Sequence, residues 1–239
     1  MITLNHISHQ YRNQNGTATH ILNDLKCSIK EGEFVSFVGK SGCGKTTLVK
    51  IIAGYIKPFK GDVLIDNNIA RIPSRNRIVV HQENDVFDWL TVDENVNLVC
   101  KNNQIINKLL TLGQLDKYGT YYPFELSGGM KKRLSLIRAL AANPQILLLD
   151  EPFASLDYFT KETLHIELSK LLWKTKKTVL LVTHDIDEAI FLSDRVIVLE
   201  GQPASIKKVF SIPFSRPRDL KIYDDAMFVK LRSEIRDCY

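Results

Sequence analysis

Apolar and polar residues alternate through residues 2–38, with Ile2 and Leu4 near the start and Phe34, Ser36 and Val38 near the end. A period of two is that of half-buried strands, and turn-forming stretches such as residues 13–16 separate them. The period then changes. Leu48, Ile51, Ile52 and Tyr55 fall on one helical face, which predicts a helix over residues 46–56. Residues 62–66 and 77–80 predict short strands, and residues 94–115 predict a helical insert between two strand-rich blocks. A strong helix follows over residues 131–142, ended by Asn143-Pro144. Residues 145–149 and 178–182 are unbroken apolar runs, the pattern of central strands buried on both faces of a parallel sheet. Strands alternating with helices predict an α/β fold.

Composition narrows the class further. With 239 residues, 44% hydrophobic and 25% charged, the chain can bury one substantial core with at most a small added lobe. Its formal charge of +5 is scattered, with no run of five or six like charges, which argues against a nucleic-acid arm. Cys27, Cys43, Cys100 and Cys238 have no CxxC spacing and no neighbouring His pair, so they read as reduced thiols of a cytoplasmic protein. Residues 1–6 lack the regions of a signal peptide. Apolar runs such as 146–149 and 179–182 fall far short of the roughly 20 residues that span a bilayer. Any membrane span is expected from a partner.

The strongest chemical signal is Gly39-Lys40-Ser41-Gly42-Cys43-Gly44-Lys45-Thr46, followed by Thr47, between a predicted strand and a predicted helix. This fits the phosphate-loop pattern GxxxxGK[ST] in the context it requires. Glycines let backbone amides curl around phosphate oxygens, and the following helix aims its positive end at the same charge. Lys45 would bridge the β- and γ-phosphates of a nucleotide, and the Thr46 hydroxyl would take one position on Mg²⁺. The loop alone leaves kinases, GTPases and ATPases open.

A second feature lies at the end of the run at 146–149. Asp150 sits at the strand's C-terminal end, where it can orient Mg²⁺ or its water, and Glu151 is placed to activate water as a general base. By itself the pair reads equally well as two solvated acids. Leu126-Ser127-Gly128-Gly129-Met130 stands directly before the helix at 131–142 and offers a second glycine-rich helix N-terminus suited to phosphate. Asp157 follows the acids, and His184 follows the second buried run in Thr183-His184-Asp185.

This order of motifs resembles the ABC transporter ATPases over nearly the whole chain: a phosphate loop, Gln82 at a strand end, an LSGGQ-like signature, an Asp-Glu pair, a loop ending in Asp157, and a switch His. The resemblance implies a P-loop NTPase fold with a RecA-like parallel-sheet core, an N-terminal antiparallel β-subdomain and a small helical subdomain near residues 85–142. It implies ATP and Mg²⁺ as ligands. Tyr11 would stack on adenine, Gln82 would ligate Mg²⁺ and sense the γ-phosphate, and His184 would hold that phosphate and the attacking water. Ser127, Gly128 and Gly129 would act in trans, on ATP held by a second copy in a head-to-tail dimer, and Asp157 would be among the nucleotide-binding residues. Met130 stands where Gln is commonest; Met donates no side-chain hydrogen bond, so the Ser hydroxyl and glycine amides carry the phosphate work.

Met130, residues 88–92 and residues 213–218 are similar to the nitrate, sulfonate and taurine importer branch, which also serves thiamine-precursor pyrimidines. The resemblance then implies a cytoplasmic-face peripheral subunit, an integral permease docked near Gln82 to Trp89, and a separate solute-binding protein. Between Gln82 and Ser127 lie 44 residues, which reads as a trimmed helical insert. Residues 203–239 read as a short extension, too small for a ligand-sensing domain. Among other ABC-type classes, chromosome ATPases need a long coiled coil before the signature and translation factors need two cassettes. The first has no room here, and the second has only one cassette to draw on. A different cargo, export, or a non-transport role are the alternatives.

Overall fold

The computed structural model describes residues 1–13, 15–82, 85–154 and 158–239. In chain order the elements are β1 (Ile2–Arg12), β2 (Ala18–Ile29), β3 (Phe34–Val38), α1 (Lys45–Ala53), β4 (Lys60–Ile65), β5 (Asn68–Ile69) and β6 (Arg77–Val80). They continue with α2 (Val92–Asn97), α3 (Asn103–Leu112), α4 (Gly128–Ala141), β7 (Ile146–Asp150), α5 (Tyr158–Thr175) and β8 (Thr178–Thr183). The chain closes with α6 (Ile186–Leu192), β9 (Arg195–Glu200), β10 (Ser205–Ser211) and α7 (Ala226–Arg236).

The alternating N-terminal pattern builds a small antiparallel sheet in the order β2-β1-β4-β5. Ile2, Leu4 and Ile7 are all buried although the last step is three residues; the register shifts there, and His6 takes a positive φ of 55° to absorb the extra residue. The main sheet runs β10-β9-β3-β8-β7-β6, parallel except for the antiparallel edge strand β10. Its central strands are buried along their whole length, as their unbroken apolar runs predict. Alternate residues serve different layers. Leu147, Leu149, Val179 and Leu181 pack with α4 and α5, whereas Ile146, Leu148, Leu180 and Val182 pack with α1 and the small sheet.

The elements differ from expectation in four places, the first being α4, which begins at Gly128 and not at residue 131, so Gly128 and Gly129 lie in its first turn. α1 stops at Ala53, because Gly54 adopts a left-handed φ of 81° and its amide closes the last turn; Tyr55 therefore leaves the apolar face and is 49% exposed. The helical insert begins at Val92, where Thr91 and Glu94 form a capping box, and it breaks between α2 and α3. Leu98 and Val99 in that break are exposed. The C-terminal residues are not an appendage. β10 pairs with β9, and Phe228, Leu231 and Ile235 of α7 share a buried cluster with Val38, Ala189 and Ile190.

The parallel register places the candidate site. Val38 lies opposite Thr183, Asp150 opposite Val182, and Val80 opposite Leu149. Residues following β3, β6, β7 and β8 therefore emerge at one edge of the sheet, the edge at which open α/β sheets bind ligands.

Candidate functional site

The loop after β3 is built around glycines that cannot be replaced freely. Gly42 and Gly44 have φ of 77° and 101°. A Cβ on Gly44 would meet Ile21 at 2.6 Å and Leu22 at 2.9 Å, and one on Gly39 would meet Cys43 Sγ at 2.8 Å. Gly44 also occupies the N-cap of α1 with no side-chain cap, so the first amides of the helix are left to a ligand. Lys45 is 4% exposed; its ammonium donates to the Gly39 carbonyl at 2.8 Å and the Lys40 carbonyl at 3.1 Å, and lies 3.5 Å from Glu151 Oε1. Burial pushes the Cys43 thiol up, the Lys45 charge opposing the rise, and its side chain packs in the core beneath the loop.

Across the sheet edge, Thr46 Oγ1 donates to Asp150 Oδ1 at 3.1 Å. Asp150 is buried at the end of β7; burial raises its pKa, and the Thr46 hydrogen bond opposes the rise. A hydroxyl and a carboxylate at this separation form the hard-oxygen pair that suits Mg²⁺. Glu151 follows with a left-handed φ of 45°, its amide bonded to the Val182 carbonyl at 2.9 Å. Such a conformation in a non-glycine residue costs on the order of 1–3 kcal/mol and persists where the surroundings enforce it. Its Oε2 sits 3.0 Å from His184 Nδ1, so one carboxylate touches both the loop lysine and the switch histidine.

The turn after β8 is braced from below. The Thr183 hydroxyl accepts from the Asp185 amide at 3.0 Å and donates to Glu188 Oε2 at 2.9 Å. Burial, with the Asp185 charge beside it, pushes Glu188 up to about 8. Asp185 caps α6 and lies 3.6 Å from Lys161 on α5. Sequence reading gives no role to Thr183, Glu188 or Lys161. Asp185 three residues before Glu188 is a helix-start signal, and it was the one available cue.

Tyr11 lies at the end of β1, half exposed, with its hydroxyl 3.3 Å from Thr47 Oγ1, so its ring stands beside the first turn of α1. Gln82 is exposed just past β6, and its carbonyl accepts from the buried Lys132 at 3.2 Å. Ser127 caps α4, its Oγ accepting from the Met130 amide at 3.3 Å. Ser127 and Gly128 are exposed, and a Cβ on Gly128 would meet nothing within 4 Å. Among the described residues no hydrogen bond joins residues 127–129 to residues 39–47. Thus the strand edge gathers the loop, Asp150, Glu151 and His184, while the signature stands apart. Asp157 lies outside the described residues.

A profile of the ABC transporter family matches residues 22–154. The aliphatic sulfonates import ATP-binding protein of Bacillus thuringiensis subsp. konkukian is 40% identical over 224 residues, covering 91% of this chain and 88% of that protein. The nitrate import ATP-binding protein of Synechococcus elongatus is 38% identical over 228 residues, covering 90% of this chain and 83% of that protein. A solved dimeric ATP-binding cassette, in a post-hydrolysis state bound to ADP and Pi, aligns with a TM-score of 0.77 at 32% identity, covering 90% of this chain and 100% of that one. The matched span holds the loop, the signature turn and the acid pair together, and the chain belongs to the ABC transporter family.

Proposed function

We propose that this chain is the ATPase subunit of an importer: two copies bind ATP between them, and its hydrolysis drives solute uptake through a separate permease. The observation that carries the reading is Glu151, held between Lys45 and His184 beside the Thr46–Asp150 pair. Amides of residues 42–47 and the Lys45 ammonium bind the phosphates. A triphosphate competes with Glu151 for Lys45, which frees the carboxylate to take a proton from the attacking water. His184 holds the γ-phosphate from the other side, and Tyr11 supplies a face for adenine. Thr46, Asp150 and Gln82 would hold Mg²⁺, which neutralises charge on the β- and γ-oxygens when bound. Ser127, Gly128 and Gly129 of the second copy complete the site, and Asp157 is proposed to contribute to nucleotide binding.

The permease side of the reading rests on an exposed cleft. Tyr55, Ile78, Leu98, Val99 and Ala142 line a cavity of about 600 Å³ together with Arg75 and Arg77. Trp89, 72% exposed, belongs to the segment expected to dock. Such a groove accepts an amphipathic helix. No helix among the described residues is long and apolar enough to cross a membrane, in keeping with a peripheral subunit at the cytoplasmic face. The names of the import proteins similar to this chain support a small solute such as a sulfonate or nitrate, and in this reading a separate binding protein delivers it. Affinity purification of the tagged chain from detergent-solubilised membranes tests this. A hydrophobic permease should co-purify, and recovery of ribosomes or DNA in its place would overturn the transport role.

A further inference from the structure

Lys132, 2% exposed, is the most deeply buried cation among the described residues, and none of the chemistry above uses it. Burying an ammonium is costly unless its donors are satisfied. Its partners are consecutive backbone carbonyls, those of His81 and Gln82, in the loop that leaves β6. Burial brings its pKa down to about 8, against the charges of Asp85 and Asp150, which favour the ammonium. Asp85 also accepts from the His81 amide at 3.1 Å, which ties the loop to itself.

The same helix grips this loop at a second point. Arg138, farther along α4, lies 4.8 Å over the Phe87 ring. Phe87 is fixed in turn by the fully buried Asn95, which accepts from its amide at 2.9 Å and donates to its carbonyl at 3.0 Å. α4 is one uninterrupted helix that starts at the signature, and Lys132 sits about 7 Å along its axis from Ser127. A displacement of the Gln82 backbone therefore reaches Ser127 through a single rigid element.

We propose that Lys132 is a positioning residue that makes Gln82 and the signature Ser127–Gly128–Gly129 move as one body, so that ATP on a chain's own loop sets the signature offered to its partner's ATP. This rests on the reading that the signature acts in trans. It gives the two ATP sites of a dimer a coupling free energy, which appears as cooperativity with a ceiling of two.

The test compares the purified full-length chain with Lys132→Met, which keeps the stem and loses every donor, and Lys132→Gln, which keeps an amide donor on a shorter stem. In the wild type, ATP should change hydrogen exchange in residues 77–82 and in residues 126–133 together, and hydrolysis should depend cooperatively on ATP. In Lys132→Met the change in 77–82 should persist, the change in 126–133 should vanish, and the Hill coefficient should fall to about 1. ATP affinity of the dilute monomer should stay within about twofold, because Lys132 touches no part of the phosphate loop. Lys132→Gln should fall between the two, and it decides the matter if the Met variant does not fold. An unchanged Hill coefficient and unchanged exchange coupling in either folded variant would overturn the proposal, as would a wild type with neither. Ser127→Arg separates the layers: full hydrolysis in that variant removes the trans reading itself, whereas lost hydrolysis with unaltered coupling in Lys132→Met removes only the role of Lys132.

Discussion

Two helices of this chain begin at glycine-rich turns, and they are built in opposite ways. α1 starts at Gly44 in a left-handed conformation with no side-chain cap, behind a buried Lys45, and Gly39 and Gly44 are pressed against Cys43, Ile21 and Leu22. α4 starts at Ser127, which caps its own helix, and Gly128 beside it has open space around it. One turn is finished inside the chain. The other exposes Ser127 and Gly128, which the proposed dimer would set against a second copy's nucleotide. A phosphate held by α1 meets amides, a lysine, a hydroxyl and two acids; a phosphate at α4 meets only a hydroxyl and glycine amides. The asymmetry is what a site shared between two copies requires.

Substitutions can break this contrast. The largest effect is expected from Glu151→Gln, which removes the base on the finished side: hydrolysis should fall about 10²–10⁴-fold while ATP binding persists and a dimer accumulates, as read by phosphate release and size exclusion. Wild-type turnover would remove Glu151 from its role. Ser127→Arg should abolish hydrolysis to a similar extent while leaving ATP affinity of the dilute monomer intact, because its clash lies across the interface. Collapse of monomer affinity would place the signature in its own chain's site.

Paired glycine changes sharpen the comparison at smaller scale. Gly44→Ala forces a Cβ into Ile21 at a φ of 101° and should cost about 1–3 kcal/mol, visible as a Tm several degrees lower and weaker ATP binding. Gly128→Ala should stay within about 0.5 kcal/mol by thermal melting and reduce only the dimer's hydrolysis. Equal loss of stability at both positions would erase the distinction between a finished and an open turn. Smallest of all, Tyr11→Ala should raise the KM for ATP about tenfold through lost stacking, and Tyr11→Phe should leave it nearly unchanged, because the ring and not the Thr47 contact carries the effect.

Much of the finished half was legible because its signals are local. The strand into Gly39, the helix after Lys45, and the apolar runs before Asp150 and His184 each declare themselves within a few residues. What escaped was long-range. The Lys161–Asp185 pair and the burial of Lys132 depend on how α4, α5 and α6 lie against the sheet, and no short pattern encodes that. Lys132 is the middle one of three consecutive cations after the signature, and it is buried while its neighbours are partly open. Two boundaries were misjudged for a related reason. Tyr55 fits the helical spacing, but Gly54 ends the helix through its own backbone; and the apolar Leu98 and Val99 fit a helix face, although they stand exposed in the cleft proposed for the permease.

The central claim is that residues 39–47 and residues 127–129 form one ATP site only when they come from different copies. Cysteines placed at Ser41 and Ser127, both exposed, in the Glu151→Gln background test it directly under mild oxidation. With ATP present the account predicts a disulfide-linked dimer of two chains, and with ADP it predicts monomers. A link formed within one chain, or a dimer indifferent to ATP, would contradict it.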